Sequence, residues 1–340
     1  MKKVFWKNKQ SSFWQNEQSS FWQNKKVLVT GGCGFVGSHV TERLVANGAI
    51  VTVLDQIRPN KLDNINSVKD KIKLIDGNIK NLENCQIACK DQEIVINMAA
   101  RVGGIEYNSA HHGSILRENL LIACNMMEAA RLAKVDRFLQ VSSACVYPRD
   151  AIIPTPESEG FRDEPEPTNG GYGWGKRMGE LLGRYYSEEY GMNIGIVRPY
   201  NCYGPRDHFD PQLSHVIPAL IKRVFDGENP LVVWGSGNQT RAFLYVEDAA
   251  EGIMLAIEKI CVPDPINLGT DEEISIKELI EMILKISRQR RKVIFDTSRP
   301  DGSLRRNSDN TKAKEKFGFV ARTSFVEGLK KTIDWYVKNK

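Results

Sequence analysis

The sequence predicts an α/β fold, a doubly wound parallel sheet followed by a smaller C-terminal lobe. Three observations predict it. Val27 to Val29 is an apolar run with two β-branched residues, the pattern of a strand buried on both faces. Gly31, Gly34 and Gly37 follow at a spacing of three, and Phe35 to Ala46 then shows helical periodicity through Val36, Val40, Leu44 and Val45. Further on, short apolar runs alternate with helical stretches as far as Arg198, and such alternation predicts parallel strands with helices on both faces.

The first of these stretches is also the most informative. Strand, glycine turn and helix lead to a second strand, Ile50 to Leu54, which ends in Asp55. This is the opening of a Rossmann-like dinucleotide-binding unit. Its glycines let backbone approach a pyrophosphate, and the helix N-terminus faces it with unpaired N–H groups. Gly31, Gly34, Phe35, Val36 and Gly37 are therefore candidate cofactor residues. Asp55 can accept hydrogen bonds from both ribose hydroxyls of NAD and would repel a 2′-phosphate. Arg58 and Lys61 follow closely and leave NADP open.

The elements are expected in this order. Strands fall at Lys73 to Ile75, Ile94 to Asn97, Arg137 to Val141 and Ile194 to Arg198, with helices at Ser114 to Ala133 and Gly175 to Glu189. After Asn201 the pattern loosens into loops rich in Gly, Pro and Asp. Between them lie helices at Val216 to Phe225, Val246 to Glu258, Ser275 to Ser287 and Phe325 to Lys338, and a strand near Leu231 to Trp234. Residues 25–200 read as the cofactor domain, and residues 201–340 as a substrate-binding lobe interleaved with the last sheet strands. Residues 1–24 are unlike the rest. Phe5-Trp6, Phe13-Trp14 and Phe21-Trp22 recur every eight residues, a period that fits neither helix nor strand. They read as a repetitive, disordered tail, or as an aromatic arm for a partner subunit.

Composition narrows the function. The 47 basic and 42 acidic residues give a net charge of +5, mixed along the chain. That does not argue for nucleic acid and suits an anionic small substrate. Seven scattered cysteines with no C-x-x-C pair point to a reduced, cytoplasmic protein with no metal site. No run approaches a membrane span, and no signal peptide is visible.

Ligands of such sheets lie outside the carboxyl ends of the strands, so the loops there should carry the chemistry. They read Asn97-Met-Ala-Ala100-Arg101-Val-Gly103-Gly104, Ser142-Ser143-Ala-Cys145-Val-Tyr147-Pro148 and Arg198-Pro-Tyr-Asn201-Cys-Tyr203-Gly204-Pro205. Tyr172 and Lys176, at i and i+4, share one helix face. An ammonium beside the phenol favours phenolate, so Tyr172 is expected to exchange a proton near neutral pH, with Ser143 bonding the same substrate oxygen.

From Lys25 to Lys338 the chain resembles an extended short-chain dehydrogenase/reductase of the nucleotide-sugar epimerase group. Ala99-Ala-Arg-Val-Gly-Gly-Ile105 and Ser214-His-Val-Ile-Pro-Ala-Leu220 are similar to the GDP-fucose synthase branch. Ser142-Ser-Ala-Cys-Val-Tyr-Pro148 and Arg306-Asn-Ser-Asp-Asn310 are similar to the GDP-mannose 3,5-epimerase branch. The resemblance implies an NAD-dependent epimerase acting through a transient 4-keto sugar, most similar in kind to 3,5-epimerisation of a GDP-hexose. It leaves open a GDP-4-keto-6-deoxymannose 3,5-epimerase/4-reductase, a C4-only epimerase or reductase, and a non-catalytic NAD sensor.

The resemblance also implies roles. Ser143, Tyr172 and Lys176 would handle C4, while Cys145 would be the base and His215 the acid at C3 and C5. Both types suit the task, since a thiolate is accessible when its pKa falls and imidazole titrates near neutrality. Asn78 and Ile79 would lie near the adenine and Ala99 and Ala100 along the cofactor, with Tyr172 and Lys176 at its far end. Gly103, Gly104, Ser143, Asn201, His215, Trp234, Arg241 and Arg306 would line the sugar-nucleotide site, the two arginines holding its diphosphate. His39, His111, His112 and His208 lack such context. A homodimer through a four-helix bundle is implied, with Ile115, Ile122, Met126, Met178, Leu181, Leu182 and Tyr185 as its apolar stripes.

Overall fold

The computed structural model describes residues 20–210, 214–298 and 303–340. Its strands begin with β1 (Lys26–Thr30), β2 (Ile50–Asp55), β3 (Lys73–Asp76), β4 (Ile94–Asn97), β5 (Arg137–Val141) and β6 (Ile194–Pro199). There follow β7 (Leu231–Trp234), β8 (Thr240–Ala242), β9 (Ile266–Leu268), β10 (Glu273–Ser275), β11 (Val293–Asp296) and β12 (Arg305–Arg306). Seven of them form one parallel sheet in the order β3-β2-β1-β4-β5-β6-β9. The apolar runs explain its middle: Val27, Leu28, Val29, Val95 and Ile96 are fully buried, as a strand covered on both faces requires. The winding reverses between β1 and β4, so a crevice opens beyond the ends of those two strands.

A buried polar chain fixes that crevice. Thr30 Oγ1 donates to Asn97 Oδ1 (2.8 Å), and Asn97 Nδ2 donates to Gln140 Oε1 (3.0 Å), linking the ends of β1, β4 and β5. The same threonine oxygen accepts from the backbone N–H groups of Met98 (3.0 Å) and Ala99 (3.1 Å), which turns the loop after β4 over the end of β1.

The last strand of the sheet, β9, comes from the C-terminal half and pairs with β6. The helix before it, Val246–Lys259, is tied to the helix Phe35–Ala46, where Arg43 reaches Glu247 O (3.0 Å) and Glu251 (3.2 Å). The remaining C-terminal elements have a core of their own around Leu220, Ile221, Leu231, Leu279, Ile283 and Leu329. Two small sheets cap it, β10-β8-β12 and β11-β7.

Three expectations change. The first two Phe-Trp pairs lie outside the described residues, and so does Arg299-Pro-Asp-Gly302. The third pair is folded: Ser20–Trp22 is a 3-10 turn, and Trp22 is 1 % exposed within the core of the main sheet. Phe21 packs edge-on against it at 4.9 Å, with the Arg137 guanidinium 5.1 Å from the Phe21 ring. This copy is contiguous with β1 and packs into the core, so folded chain is present before the expected boundary at residue 25.

The second change is the helix Gly170–Tyr190, which starts five residues before the expected Gly175. Its opening glycines hide it from propensity but are needed for packing. A Cβ on Gly173 would stand 2.4 Å from Cys145 O and 2.6 Å from Pro165 Cβ. The third concerns the apolar stripes. Ile115, Ile122 and Met126 are buried within the chain's own core and cannot serve a partner. The side chains left at least partly open on the two long helices include Leu120, Leu121, Met178, Leu181, Leu182 and Tyr185.

Candidate active site

The glycine loop folds as its spacing requires. Gly31 has φ +68°, in the left-handed region that favours glycine, and its N–H donates to Leu54 O (2.9 Å). A Cβ on Gly37 would stand 2.2 Å from Gly31 O, so the loop could not close over any other residue. The helix Phe35–Ala46 starts at Gly34 with no side-chain cap, leaving the N–H groups of Phe35, Val36 and Gly37 at its positive end. This is a cradle for an anion such as a pyrophosphate.

Asp55 ends β2 beside the loop and is 7 % exposed. Its Oδ2 accepts from Cys33 N (3.1 Å) and its Oδ1 from Lys61 Nζ (2.7 Å). A carboxylate has about four acceptor positions, so ribose hydroxyls can still be received. Gly77, Asn78 and Ile79 follow β3, which pairs with β2 up to Asp55↔Asp76 and so brings their loop to the same end. Asn78 is exposed and its Oδ1 accepts from Lys80 N (3.0 Å), while Ile79 is buried. Ala99 touches the glycine loop, lying within 3.0 Å of where a Gly31 Cβ would be, and Ala100 is exposed. The residues present thus fit a dinucleotide along the crevice.

At the crevice's far end lie Ser143, Cys145, Tyr172 and Lys176. Ser143 follows β5, and its Oγ accepts from Cys145 N (3.2 Å), which turns the Cys145 side chain into the same space. Ser143 also hydrogen-bonds Tyr172. Lys176 Nζ donates to Val141 O (2.7 Å) and stands 5.6 Å from the Tyr172 ring centre. The expected phenolate is not favoured by this arrangement. Burial pushes the Tyr172 phenol above its ordinary range, the neighbouring Cys145 works in the same direction, and only the Ser143 hydrogen bond opposes them. Burial lowers Lys176 to about 8, against the pull of Glu180 one turn on. Glu180 is itself held by Arg198 in a buried pair (2.6 Å), and by Ser142, so the floor under Lys176 is rigid.

The substrate-side residues come from four other segments. Gly103 is buried with its N–H on Asn108 Oδ1 (3.0 Å), and Gly104 caps the short helix Ile105–Ala110. Asn108 in turn holds Asn169 at the start of the Tyr172 helix (2.9 Å). Asn201 follows β6 and donates to Ala242 O (2.9 Å). Arg241 on β8 and Arg306 on β12 are direct cross-strand neighbours. Burial, and then the charge of Arg306, lower Arg241 to about 10. Among the described residues Arg241 donates to the carbonyls of Thr240 (2.7 Å) and Ser303 (2.8 Å) and to no carboxylate, whereas Arg305 is clamped on Glu273 (2.5 and 3.1 Å). Two adjacent guanidinium groups repel unless an anion joins them. Trp234 stands apart at the end of β7, 54 % exposed.

His215 caps the helix Val216–Phe225, with 53 % of its side chain open. Its Nδ1 lies 3.7 Å from Oδ1 of buried Asp207. Cys202 is within electrostatic reach of both Tyr172 and Asp207, which joins His215 to the same region. Burial works against the imidazolium, but Asp207 outweighs it and raises the His215 pKa. Neither Asp207 nor Cys202 stood out in the sequence; both follow Asn201 in an irregular loop with no period to expose them. His39 is structural, its ring on Pro205 O (3.1 Å) and lowered to about 4 by burial.

Residues 27–269 match the family described as NAD dependent epimerase/dehydratase. The chain is an enzyme of that family. Among its curated relatives, a probable GDP-L-fucose synthase from Oryza sativa subsp. japonica is 32% identical over 92% of this chain and 92% of its own length. A GDP-mannose 3,5-epimerase from Arabidopsis thaliana is 32% identical over 91% of this chain and 81% of its own. Among solved structures, UDP-glucose 4-epimerase from Thermotoga maritima superposes with a TM-score of 0.84 at 27% identity, covering 92% of this chain and 99% of that one. These matches account for the sheet order and for the glycine loop of this epimerase/dehydratase family member.

Proposed function

We propose that the protein is an NAD-dependent 3,5-epimerase of a GDP-hexose of the mannose type. The observation that carries this reading is the Cys145 loop: Ser143 binds both Cys145 N–H and the Tyr172 phenol, which sets a thiol beside the C4 machinery. A C4-only enzyme has no use for a thiol there.

Bound NAD supplies the hydride acceptor and donor that make and unmake a ketone at C4. Tyr172 must first lose its own proton to solvent, a step the ammonium of Lys176 favours against the burial of the phenol; its Oη then takes the C4 hydroxyl proton, and Ser143 orients that oxygen. Lys176 supplies positive charge beneath the phenol. The ketone makes the C3 and C5 hydrogens acidic. The Cys145 thiolate removes one as a proton, the electron pair passing into the enolate, and His215 returns a proton to the opposite face. Arg241 and Arg306 hold the diphosphate, with Gly103, Gly104, Asn201 and Trp234 around the rest of the substrate.

One observation favours a second reading, the epimerase/4-reductase of the fucose synthase type. Lys61 neutralises Asp55 and so weakens the repulsion of a 2′-phosphate that would exclude NADPH. Incubation with GDP-mannose separates the two. Epimers formed without net change in nicotinamide absorbance support the first reading. Turnover only of a 4-keto-6-deoxy sugar, with consumption of NADPH, supports the second.

We also propose a cytoplasmic homodimer. Seven unpaired cysteines support the reducing compartment. The open faces at Leu120 and Leu121 and at Met178, Leu181 and Tyr185 support pairing through the two long helices.

A further inference from the structure

Asp207 is a buried carboxylate with an unmet need. Its side chain is 1 % exposed. Oδ1 accepts from His208 N (2.7 Å), while Oδ2 has no hydrogen-bond partner among the described residues. A buried carboxylate oxygen left without a donor is unfavourable, so the group gains from a cation brought close to it. The nearest cation-forming group is His215, whose Nδ1 is 3.7 Å from Oδ1. That is within ion-pair range and just beyond a hydrogen bond, and such contacts commonly tighten when substrate binds.

We propose that Asp207 is a positioning residue for His215: its carboxylate holds Nδ1 inward, so that the protonated ring presents Nε2 to the substrate. The proposal rests on the reading of His215 as the proton donor. Local geometry explains why such a partner is needed. His215 is the N-cap of a ten-residue helix, whose positive end disfavours an imidazolium. Asp207 opposes that field at Nδ1, and it is the charged group that acts on His215 among the described residues. The Cys202 thiol also lies close to Asp207, and burial pushes it up to about 12, so it stays neutral and does not compete for the charge. With Nδ1 turned inward, the opposite nitrogen lies on the ring's open side. A donor must carry its proton before the enolate forms, and a carboxylate beside Nδ1 favours that protonated state.

Histidine NMR titration of the full-length protein tests this, with His215→Gln assigning the signal among the five histidines. In Asp207→Asn we expect the His215 titration to move down by at least about one pH unit, a tenfold weaker hold on the proton. Deuterium exchange at C3 and C5 should fall about tenfold or more, and its alkaline limb should move to lower pH, while hydride transfer at C4 persists. Asp207→Glu should recover part of both. Asp207→Ser provides the same neutral replacement should the asparagine variant not fold. An unshifted His215 titration in the neutral variants overturns the proposal while leaving the donor role intact. Full exchange in His215→Gln ends the donor role itself.

Discussion

The two sides of the active site are built differently. On the cofactor side, the glycine loop, Asp55, Tyr172 and Lys176 sit on the ends of long buried strands or on a helix wedged between them. Their supports are buried as well: Arg198 and Glu180 are 1 % and 2 % exposed, and Thr30, Asn97 and Gln140 form a closed polar chain. On the substrate side, Arg241 and Arg306 lie on strands of three and two residues, and His215 and Trp234 are more than half open. The difference teaches where each task resides. In the proposed mechanism oxidation at C4 needs one fixed geometry and would use the buried side, while recognition of the sugar nucleotide would fall to short elements that can vary at little cost to the fold.

Substitutions on the two sides should therefore fail differently. Tyr172→Phe should give the largest loss. Removing the proton acceptor should lower kcat by about 10²- to 10⁴-fold, with substrate binding retained. Single-turnover absorbance of the nicotinamide checks this, and normal reduction would remove Tyr172 from the C4 step. Trp22→Ala should show how far the cofactor side depends on its packing. A fully buried indole under β1 should cost about 3–5 kcal/mol, read by denaturant unfolding. A loss below 1 kcal/mol, as an order of magnitude for surface sites, would mean that the Trp22 contact is dispensable.

Arg241→Ala should behave oppositely. Losing charged hydrogen bonds to a diphosphate, each about 1.5–3 kcal/mol, should raise KM by roughly 10- to 100-fold while kcat and folding hold. Unchanged KM would place the diphosphate elsewhere. The smallest effect is expected at Lys61. Lys61→Met leaves the Asp55 charge unopposed, so the preference for NAD over NADP should grow by about tenfold, or 1.4 kcal/mol. Calorimetry with both nucleotides reads this, and a constant ratio would show that Lys61 does not set the choice.

The same contrast governs what the sequence reveals. The cofactor side is legible because its strands and helices are long enough to show a period. Phe35–Ala46, Ile94–Asn97 and Arg137–Val141 start and stop where their apolar patterns do. β9 escapes because three residues cannot display alternation, although it completes the main sheet. The Tyr172 helix is legible only from its second turn, because its opening glycines serve packing rather than propensity. Arg305 and Arg306 look equivalent in sequence, yet one is clamped by Glu273 and the other faces Arg241. Trp22 sits in a repeat whose period fits neither helix nor strand, so its place in the core of the main sheet has no signal in the sequence. Asp207 had no signal at all, since its role depends on a fold that brings it to His215.

The central claim is that Cys145 turns a common C4 oxidation into epimerisation at C3 or C5. It is tested most directly by following the sugar ring by NMR in D₂O, with wild type and Cys145→Ser side by side. The account predicts deuterium at C3 or C5 in wild type. In Cys145→Ser it predicts none, with C4 hydride transfer preserved, because a hydroxyl is a far weaker base than a thiolate. Exchange in the serine variant as fast as in wild type, or no exchange in either, would contradict it and leave an enzyme that acts at C4 alone.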